Sequence, residues 1–252
     1  MKWWRNIKDI VLSFYYPSGQ FFLVSFPNSG RTWLMYMLQT ILKEVGREEL
    51  YIENTHDCSE IIIENGTRQD PQLIFKFTDR FRYSRSKVIF LARDPRDIIA
   101  SNFHQVTNRA IDPFKFSSRS EFVKHDIYGF KRVIHFFNMW YNNKTRPQDF
   151  LLIKYENLLE DTEDLKKVIN FLNVDLSNES IERIYKESTA HKMREKEKKN
   201  QLEGFSDFGK ETNKLKVRKA RKGSYLNELS VKDIAFCNKE IKKLNPYFGY
   251  TL

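Results

Sequence analysis

The segment Pro27-Asn28-Ser29-Gly30-Arg31-Thr32-Trp33 has the composition of a phosphate-binding loop. Gly30 permits a tight backbone turn, and the amides at the start of the helical pattern that follows point outward with the positive end of the helix dipole. Ser29 and Thr32 add hydroxyl donors, and Arg31 adds a fixed positive charge. The string G-x-x-x-x-G-K-[ST] of a Walker ATP loop is absent. The segment therefore predicts an anion site of another kind, with an ordinary strand-to-helix turn as the alternative.

A second segment repeats this arrangement at the end of another apolar run. Arg93 follows Lys87–Ala92 directly, and Ser101 lies eight residues after Arg93. In open α/β sheets, ligands bind at the carboxyl ends of the strands, so Arg93 is expected at that edge. Ser101, about two helical turns further on, is expected to share one phosphate with it. The alternative is an ion-paired helix start with Arg96 and Asp97 on the surface.

Both segments need a sheet that brings them together. Strands are predicted at Gln20–Phe26, Leu73–Phe77, Lys87–Ala92 and Phe150–Ile153. Helices are predicted at Thr32–Val45, from Pro95 onward, at Phe130–Tyr141 and at Leu158–Phe171. Strands that alternate with helices indicate a parallel sheet with helices on both faces. The predicted fold is a single α/β domain over residues 1–252, with three layers, α/β/α, and no linker or repeat.

Composition supports a folded domain that binds an anion. The chain has 252 residues, of which 40% are hydrophobic and 15% aromatic, and this excludes collagen-like and disordered classes. Its net charge of +10 favours a nucleotide, a nucleic acid, an acidic glycan or a membrane surface as partner. Between Lys192 and Lys222 there are twelve Lys and Arg residues against five Asp and Glu residues. This basic tract has no clear periodicity, and both a solvated loop and a flap over the binding site fit it.

The cysteines and the N-terminus indicate a reducing compartment, and the cytoplasm is the expected location. Cys58 and Cys237 have neither metal-ligand spacing nor a CxxC neighbour, so no disulfide framework is predicted. No apolar run approaches the ~20 residues of a membrane span. Residues 1–19 are predicted to form a helical extension, in which Trp3 and Trp4 either pack on the domain or contact a membrane surface.

Three motifs, in order, resemble those of sulfotransferases that use 3′-phosphoadenosine 5′-phosphosulfate (PAPS). Phe26–Trp33 is similar to their YPKSGTTW loop for the 5′-phosphosulfate, and Val88–Asp97 with Ser101 resembles their 3′-phosphate motif. Val217–Tyr225 is similar to their C-terminal RKGxxGxW segment. The resemblance implies a P-loop-NTPase-like topology and an EC 2.8.2 type of enzyme. Such an enzyme moves a sulfuryl group from PAPS to a hydroxyl or amine of a glycan or small molecule, and releases 3′,5′-adenosine bisphosphate (PAP). The resemblance implies that the reaction needs no metal and that the protein has no nucleic-acid partner.

Carried over by position, the resemblance implies a role for each matching residue. The 5′-phosphosulfate would be held by Asn28, Ser29, Gly30, Arg31 and Thr32, and adenine would stack on Trp33. The 3′-phosphate would be held by Arg93, Ser101, Arg218 and Lys219, beside Ala220, which replaces the first glycine of the C-terminal motif. The adenine pocket would be lined by Tyr155 and Ser188. The tract 192–222 would be a basic flap over the anionic cofactor.

Two departures from the family concern the chemistry itself. Asn28 stands where the family has a loop lysine, and Arg31, where a neutral residue is common, is expected to supply the missing cation together with Lys76. In many family members the base is a histidine after the second strand, in the sequence KTH. Lys76 matches that lysine, but no histidine follows it. Asp79 is the nearest replacement as proton acceptor, and His56 is the competing candidate.

Two other functions stay open at this point. A nucleotide-dependent kinase of related fold would need a Walker lysine and a carboxylate pair for Mg²⁺, and neither is evident. A basic nucleic-acid-binding domain would use the tract 192–222. That function does not explain why arginine and hydroxyl residues recur where strands give way to helices.

The acceptor pocket is expected in three loops, namely Asn54–Asp70, Val106–His125 and the basic tract. Aromatic and basic residues mix in and near the second of these: Phe103, Phe114, Phe116, Arg109, Lys115 and Arg119. Such a lining fits a glycan and a partly anionic small molecule equally well.

Overall fold

The structure is a computed structural model that describes residues 19–56, 62–64, 67–69, 82–108, 116–199 and 221–251, with the backbone alone at 62–64 and 67–69. Three predicted elements lie outside the described residues: the strand Leu73–Phe77, the extension that carries Trp3 and Trp4, and residues 200–220 of the basic tract. Both segments expected to bind phosphate, 27–33 and 93–101, lie within the described residues. No helix in the described ranges is both long and apolar enough to cross a bilayer.

In the described part of the chain, the central sheet has four strands, all parallel. Its strands are β1 (Gln20–Ser25), β2 (Ile52–Thr55), β5 (Ser86–Ala92) and β6 (Asp149–Lys154). Two further described strands, β3 (Ile62–Glu64) and β4 (Thr67–Gln69), lie outside this sheet. The order in the sheet is β2-β1-β5-β6, and β3 pairs with β4 in a separate antiparallel ribbon. Leu23 of β1 pairs with Asn54 on one side and Ile89 on the other. The segments after β1, β2 and β5 therefore leave the same edge of the sheet.

The two central strands pair in parallel because their sequences tolerate burial on both faces. β1 reads QFFLVS and β5 reads SKVIFLA, and both are buried over their last five residues. Near-continuous apolar runs of this kind are typical of parallel strands that helices cover on both sides. The loops after β1 and β5 are thus held side by side on a rigid base.

Helices cover both faces of this sheet. They are α1 (Arg31–Glu44), α2 (Pro95–Asn108), α3 (Arg119–Lys124), α4 (Phe130–Asn143), α5 (Tyr155–Glu160), α6 (Glu163–Phe171), α7 (Asn178–Glu187), α8 (Ala190–Lys198), α9 (Tyr225–Glu228) and α10 (Val231–Ile241). One apolar cluster joins Phe90 and its face of the sheet to α2, α4 and α10. The other joins Ile89 and the opposite face to α1, α6 and α7. The predicted three-layer α/β/α fold is confirmed.

The prediction of one helix over Leu158–Phe171 is wrong, because α5 ends at Glu160 and α6 begins at Glu163. Asp161 lies between the two helices in extended backbone, and its Oδ1 accepts a hydrogen bond from the Glu163 amide at 2.9 Å. An aspartate that bonds the chain two residues on favours a turn over a continuous helix. α5 itself starts at Tyr155, directly after β6.

Two tracts that the sequence predicts as loops contain regular structure. Residues 190–198 form α8, whose buried residue is Met193, so it has no apolar stripe from which a helix could be predicted. Part of Asn54–Asp70 forms the end of β2 and the ribbon β3–β4. β2 reads IENT and lies at the edge of the described sheet. Because it contains polar residues and no apolar run, the strand could not be predicted from its sequence. The pair Asn65-Gly66 between β3 and β4 is a frequent hairpin signal that the sequence analysis missed.

Candidate active site

The first anion-binding segment forms a tight turn between β1 and α1. Asn28 (φ 68°) and Gly30 (φ 91°) both adopt left-handed backbone conformations. A Cβ atom at Gly30 would lie 2.4 Å from Cδ2 of Tyr155, so a side chain at this position would collide with that ring. The turn brings the start of α1, a helix of 14 residues, to the carboxyl edge of the sheet. The positive end of that helix favours an anion at this place.

Two serines, one just before this segment and one within it, bury hydroxyl groups that form no hydrogen bond with the described residues. Ser25 ends β1, Ser29 lies in the turn, and both are fully buried. Among the described residues, neither Oγ atom has a hydrogen-bond partner. An unsatisfied buried polar group costs about 1–3 kcal/mol. Because an anion oxygen would accept a hydrogen bond from Ser29, the residues present fit a bound phosphosulfate.

Arg93 lies beside this turn because β5, which it follows, pairs directly with β1. Its Nη1 donates to the Asn28 carbonyl oxygen at 2.9 Å, and its guanidinium lies 4.5 Å from the centre of the Tyr155 ring. The side chain is buried, and its Nε atom has no hydrogen-bond partner in the part of the chain that the structure describes. The two predicted segments therefore meet, and the arginine keeps a buried N–H group that an anion could use.

Asn28, which stands at the position of the family's lysine, links the first segment to α2. Its Nδ2 donates to Oδ1 of Asn102 at 3.2 Å, and Asn102 is buried. Ser101 is half-buried on the same helix, one residue before Asn102. Asn28 thus joins the two segments and contributes no charge, which leaves Arg31 as the cation of the first turn.

The first turn of α2 is buried, which contradicts the alternative that placed Arg96 and Asp97 on the surface. The Asp97 carboxylate accepts hydrogen bonds from the Gly223 amide at 2.8 Å and from the Ser224 hydroxyl at 3.0 Å. The Tyr225 amide donates to it at 2.9 Å. Asp97 therefore fastens the end of the C-terminal motif to the start of α2.

This anchor brings residues 221–225 next to the second segment. Nη2 of Arg93 lies 3.5 Å from the Arg221 carbonyl oxygen and 3.9 Å from Oδ2 of Asp97. Outside the described residues lie Arg218, Lys219 and Ala220. The part of these three residues in a 3′-phosphate site stays a prediction. The role of Asp97 could not be predicted from local sequence, because its partner Gly223 is 126 residues away in the chain.

A further set of contacts ties the C-terminus to the same turn. Arg96 forms an ion pair with Asp94 (Nη2 to Oδ2, 2.8 Å) and donates to the Thr251 carbonyl oxygen at 3.1 Å. Glu156 accepts hydrogen bonds from the Asp94 amide and from the Tyr250 hydroxyl, each at 2.8 Å. Burial raises the pKa of Glu156 above its ordinary value. Sequence analysis assigned no role to Glu156 or Tyr250, and the place of Glu156 in the site follows from its tertiary partners.

Trp33, Tyr155 and Ser188 come together on the other side of the first turn. The Trp33 indole Nε1 donates to the Ser188 carbonyl oxygen at 2.6 Å. The ring centres of Trp33 and Tyr155 lie 5.9 Å apart in an edge-to-face arrangement. The Ser188 hydroxyl donates to the Ile184 carbonyl oxygen at 2.7 Å, so it serves the end of α7. Ser188 therefore acts on this group through its backbone carbonyl, which orients the Trp33 ring.

His56 lies at the end of β2, next to the first turn. Among the described residues, β2 is the second strand in chain order, and it precedes the predicted strand Leu73–Phe77, so His56 follows the second described strand. Its Nδ1 lies 2.8 Å from the Ser25 carbonyl oxygen, and its Nε2 lies 2.8 Å from Nη2 of Arg31. A carbonyl oxygen only accepts and a guanidinium only donates, so these contacts assign the neutral tautomer with its proton on Nδ1. The other candidates, Lys76 and Asp79, lie outside the described residues.

The aromatic residues expected near the acceptor pack inward instead. The Phe116 ring contacts the rings of Phe122, His125 and Tyr128. Phe103 contacts Phe122, and the Arg119 guanidinium lies 4.9 Å from the Phe103 ring centre. The described part of the expected lining thus belongs to the packing of α2 and α3. Outside the described residues lie Arg109, Phe114 and Lys115.

Cys237 is a free and buried thiol on α10. Burial raises its pKa to about 12, so it stays protonated at neutral pH and packs as a small apolar group. In the ranges that the structure describes, no group of three or more His, Cys, Asp and Glu residues is arranged to hold a metal ion.

Comparison with known proteins gives matches over nearly the whole chain. The family described as "Sulfotransferase domain" matches residues 18–245. Mouse sulfotransferase 2A1 is 27% identical over 250 residues, which cover 89% of this chain and 84% of that protein. The 3-beta-hydroxysteroid sulfotransferase of Cavia porcellus is 24% identical over 200 residues, which cover 70% of this chain and 67% of that protein. The crystal structure of mouse sulfotransferase SULT7A1 complexed with PAP has the same fold, with a TM-score of 0.62 and 19% identity over 89% of this chain and 84% of that chain.

Proposed function

This chain belongs to the sulfotransferase domain family and transfers a sulfuryl group from PAPS to an acceptor, and we propose that the edge formed by β1, β2 and β5 is its active site. One observation carries the proposal. Ser29 Oγ and Arg93 Nε are buried without partners among the described residues, on two segments that the hydrogen bond from Arg93 to Asn28 joins. Buried polar groups are normally hydrogen-bonded, so two unpaired donors on neighbouring loops fit a ligand that has a phosphate group for each loop.

The first turn is proposed to bind the 5′-phosphosulfate through Ser29, Gly30, Arg31 and Thr32. The bound donor supplies the sulfuryl group, attached to a phosphate that leaves with negative charge. Arg31 and the positive end of α1 would meet that charge in place of the family's lysine, because Asn28 is neutral and bonds to Asn102. Lys76 remains the second cation predicted by the sequence.

The second segment is proposed to bind the 3′-phosphate through Arg93 and Ser101. Arg93 is held in place by the Asn28 carbonyl oxygen and the Tyr155 ring, so little side-chain freedom is lost when it binds an anion. Asp97 holds residues 221–225 beside it. From the sequence, Arg218 and Lys219 would complete this site, next to Ala220.

The adenine ring is proposed to stack on Trp33. The hydrogen bond to the Ser188 carbonyl oxygen and the edge contact with Tyr155 set the orientation of the Trp33 ring. A half-buried indole held in this way offers a π face to a base. Ser188 and Tyr155 would therefore position Trp33.

His56 is proposed as the base that accepts the proton of the attacking hydroxyl or amine. The Ser25 carbonyl oxygen fixes the proton on Nδ1, which leaves the lone pair of Nε2 to act. The position of His56 directly after β2, the second strand of the described residues, supports this choice. Asp79 is the alternative base.

The acceptor is proposed to be a hydroxyl or amine of a small molecule of about steroid size. The name of the 3-beta-hydroxysteroid sulfotransferase, 24% identical to this chain, supports that choice over a glycan. The described aromatic residues of α2 and α3 pack inward, so they give no support to an extended aromatic and basic lining. The cytoplasmic location and a membrane contact through Trp3 and Trp4 stay predictions of the sequence.

Two measurements test this function. In thermal melts, PAP should raise the melting temperature of the protein at concentrations where ATP with Mg²⁺ and duplex DNA do not, because only a ligand that prefers the folded state stabilises it. Equal stabilisation by ATP would favour the kinase, and stabilisation by DNA alone would favour the nucleic-acid-binding domain.

Radiolabelled PAPS should then transfer its label to one class in a panel of a 3β-hydroxysteroid, a phenol, an alkyl amine and a sulfatable oligosaccharide. Transfer to the oligosaccharide alone would overturn the proposed acceptor and leave the sulfotransferase activity intact.

A further inference from the structure

We propose that Arg31 caps the base, His56: its guanidinium donates a hydrogen bond to the lone pair of Nε2 and so blocks it. A bound anion then draws the arginine away and exposes the lone pair. The inference rests on the proposed function, in which His56 accepts the proton of the acceptor. A neutral imidazole has one nitrogen that can accept a hydrogen bond. In this structure that nitrogen is Nε2, and Nη2 of Arg31 donates to it at 2.8 Å.

The imidazole has no second nitrogen to offer in this position. Nδ1 carries the proton and donates to the Ser25 carbonyl oxygen at 2.8 Å. Ser25 and Thr55 end neighbouring parallel strands, so the ring is held by the pairing of β1 with β2. A ring turned by half a revolution would place the Cδ2 carbon against that carbonyl oxygen and lose the hydrogen bond from Nδ1. His56 therefore becomes a base only when Arg31 moves.

A bound phosphosulfate is the group best able to move it. Arg31 is the first residue of α1 and directly follows Gly30 in the turn proposed to hold the anion. A guanidinium binds phosphate oxygens through charge-assisted and often bidentate hydrogen bonds, which are about twice as strong as bonds to a neutral acceptor. Arg31 would therefore exchange its contact with His56 for one with the donor. The base would be ready only in a site that already holds the donor.

The exchange itself moves no proton, since the guanidinium stays charged throughout. In the uncapped site, His56 Nε2 takes the proton from the acceptor hydroxyl. The acceptor oxygen forms its bond to sulfur as the bond from sulfur to the bridging phosphate oxygen breaks, and that electron pair stays on the phosphate of PAP. His56 then returns the proton to water. Arg31 is thus a positioning residue toward His56, besides being a ligand of the phosphosulfate.

The exchange can be observed at the His56 ring itself. In protein labelled with ¹⁵N-histidine, the Nε2 signal of His56, assigned with His56→Asn, should shift when saturating PAP is added. Arg31→Met should show the shifted signal without ligand and should change little when PAP is added. Thr32→Val is the matched control, because it alters the next residue of the loop and keeps Arg31; its free form should give the wild-type signal.

A chemical probe gives an independent reading. Diethyl pyrocarbonate attacks the free lone pair of a neutral imidazole, so His56 should react about tenfold faster in free Arg31→Met than in free wild-type protein. His191, whose side chain is 79% exposed on α8, serves as the internal reference and should react equally in both.

The outcomes separate this inference from the proposed function. If PAP does not bind the wild-type protein, the proposed function is wrong. If PAP binds and the enzyme turns over, but the Nε2 signal of His56 stays where it was, the cap is wrong and the function stands. Equal reactivity of His56 in the wild-type and Arg31→Met proteins would also overturn the cap.

Discussion

The two segments proposed to bind anions follow neighbouring strands of one sheet, yet their hydrogen bonds differ. In the first turn, Ser29 buries a hydroxyl that no described residue uses, and Arg31 bonds to His56 inside the site. In the second segment, Asp97 has its carboxylate surrounded by three donors from the C-terminal motif. Arg96 is likewise occupied, by Asp94 and by a carbonyl oxygen of the C-terminus.

This difference separates a segment whose proposed role is ligand binding alone from one that combines a proposed ligand site with a structural junction. In the first turn, Ser29 has no hydrogen-bond partner among the described residues, so its replacement should affect binding with little loss of stability. The second segment joins β5 to residues 221–225 and to Thr251. Replacement of Asp97 should therefore destabilise the C-terminal region as well as the site.

Asp97→Ala should give the largest effect, a fall of about 3–5 kcal/mol in the free energy of unfolding, because it leaves buried donors and Arg93 without their carboxylate. Urea denaturation monitored by circular dichroism measures it. Asp126→Ala is the control, since the Asp126 side chain is 71% exposed in its ion pair with Lys131. That variant should lose less than about 1 kcal/mol. A small effect at Asp97 would show that the C-terminal motif is held by other contacts.

His56→Asn should lower turnover about a hundredfold or more, in the range of acid–base groups. PAP affinity should change little, because the proton transfer occurs only in the transition state. Turnover with saturating PAPS and calorimetric binding of PAP separate the two quantities. Asp79→Asn and Lys76→Ala are the rival variants: an active His56→Asn beside an inactive Asp79→Asn would assign the base to Asp79.

Arg93→Ala should weaken PAP binding by about ten- to a hundredfold, since a hydrogen bond to a charged group contributes about 1.5–3 kcal/mol. Adenosine 5′-phosphosulfate lacks the 3′-phosphate and should lose much less affinity. Calorimetry with both ligands on one variant makes the comparison internal. Equal losses for the two ligands would remove Arg93 from the 3′-phosphate site.

Ser29→Ala should give the smallest loss of stability, because removal of an unpaired buried hydroxyl leaves the free energy of unfolding unchanged or raises it by up to about 1–3 kcal/mol. It removes a buried hydroxyl that has no partner among the described residues, so folding loses no hydrogen bond there. PAP affinity should nevertheless fall about tenfold, through one lost bond to a charged group. A large loss of stability at unchanged PAP affinity would make the first turn a structural junction like the second.

Much of this site could be predicted from local sequence. The turn at Asn28–Trp33 and the position of Arg93 follow from apolar runs that end in glycine, proline and charge. The structure adds the partners: Asn28 bonds to Asn102, and the Ser188 carbonyl oxygen orients Trp33. Those partners come from other elements, and no spacing within one motif predicts them.

The misjudged elements share a physical reason. β2 is short and polar at the edge of the described sheet, and α8 buries Met193 without an apolar stripe, so neither shows the periodicity on which prediction depends. β2 is stabilised by its pairing with the backbone of β1, whereas the backbone hydrogen bonds at the ends of α8 stay within the helix and its capping residues. With β2 predicted as a loop, His56 looked like a residue on a polar surface.

By itself, the sequence determined the parallel α/β architecture and the positions of the two turns proposed to bind anions, because apolar runs, glycine and a helix start act on residues near them in the chain. Only the tertiary structure decided that His56 meets Arg31 and that Asp97 is buried. Those contacts join residues 25 and 126 positions apart. Strand pairing and the packing of the C-terminal motif create them, and both depend on the whole chain being folded, since the free energy of a polar contact is set by the burial around it.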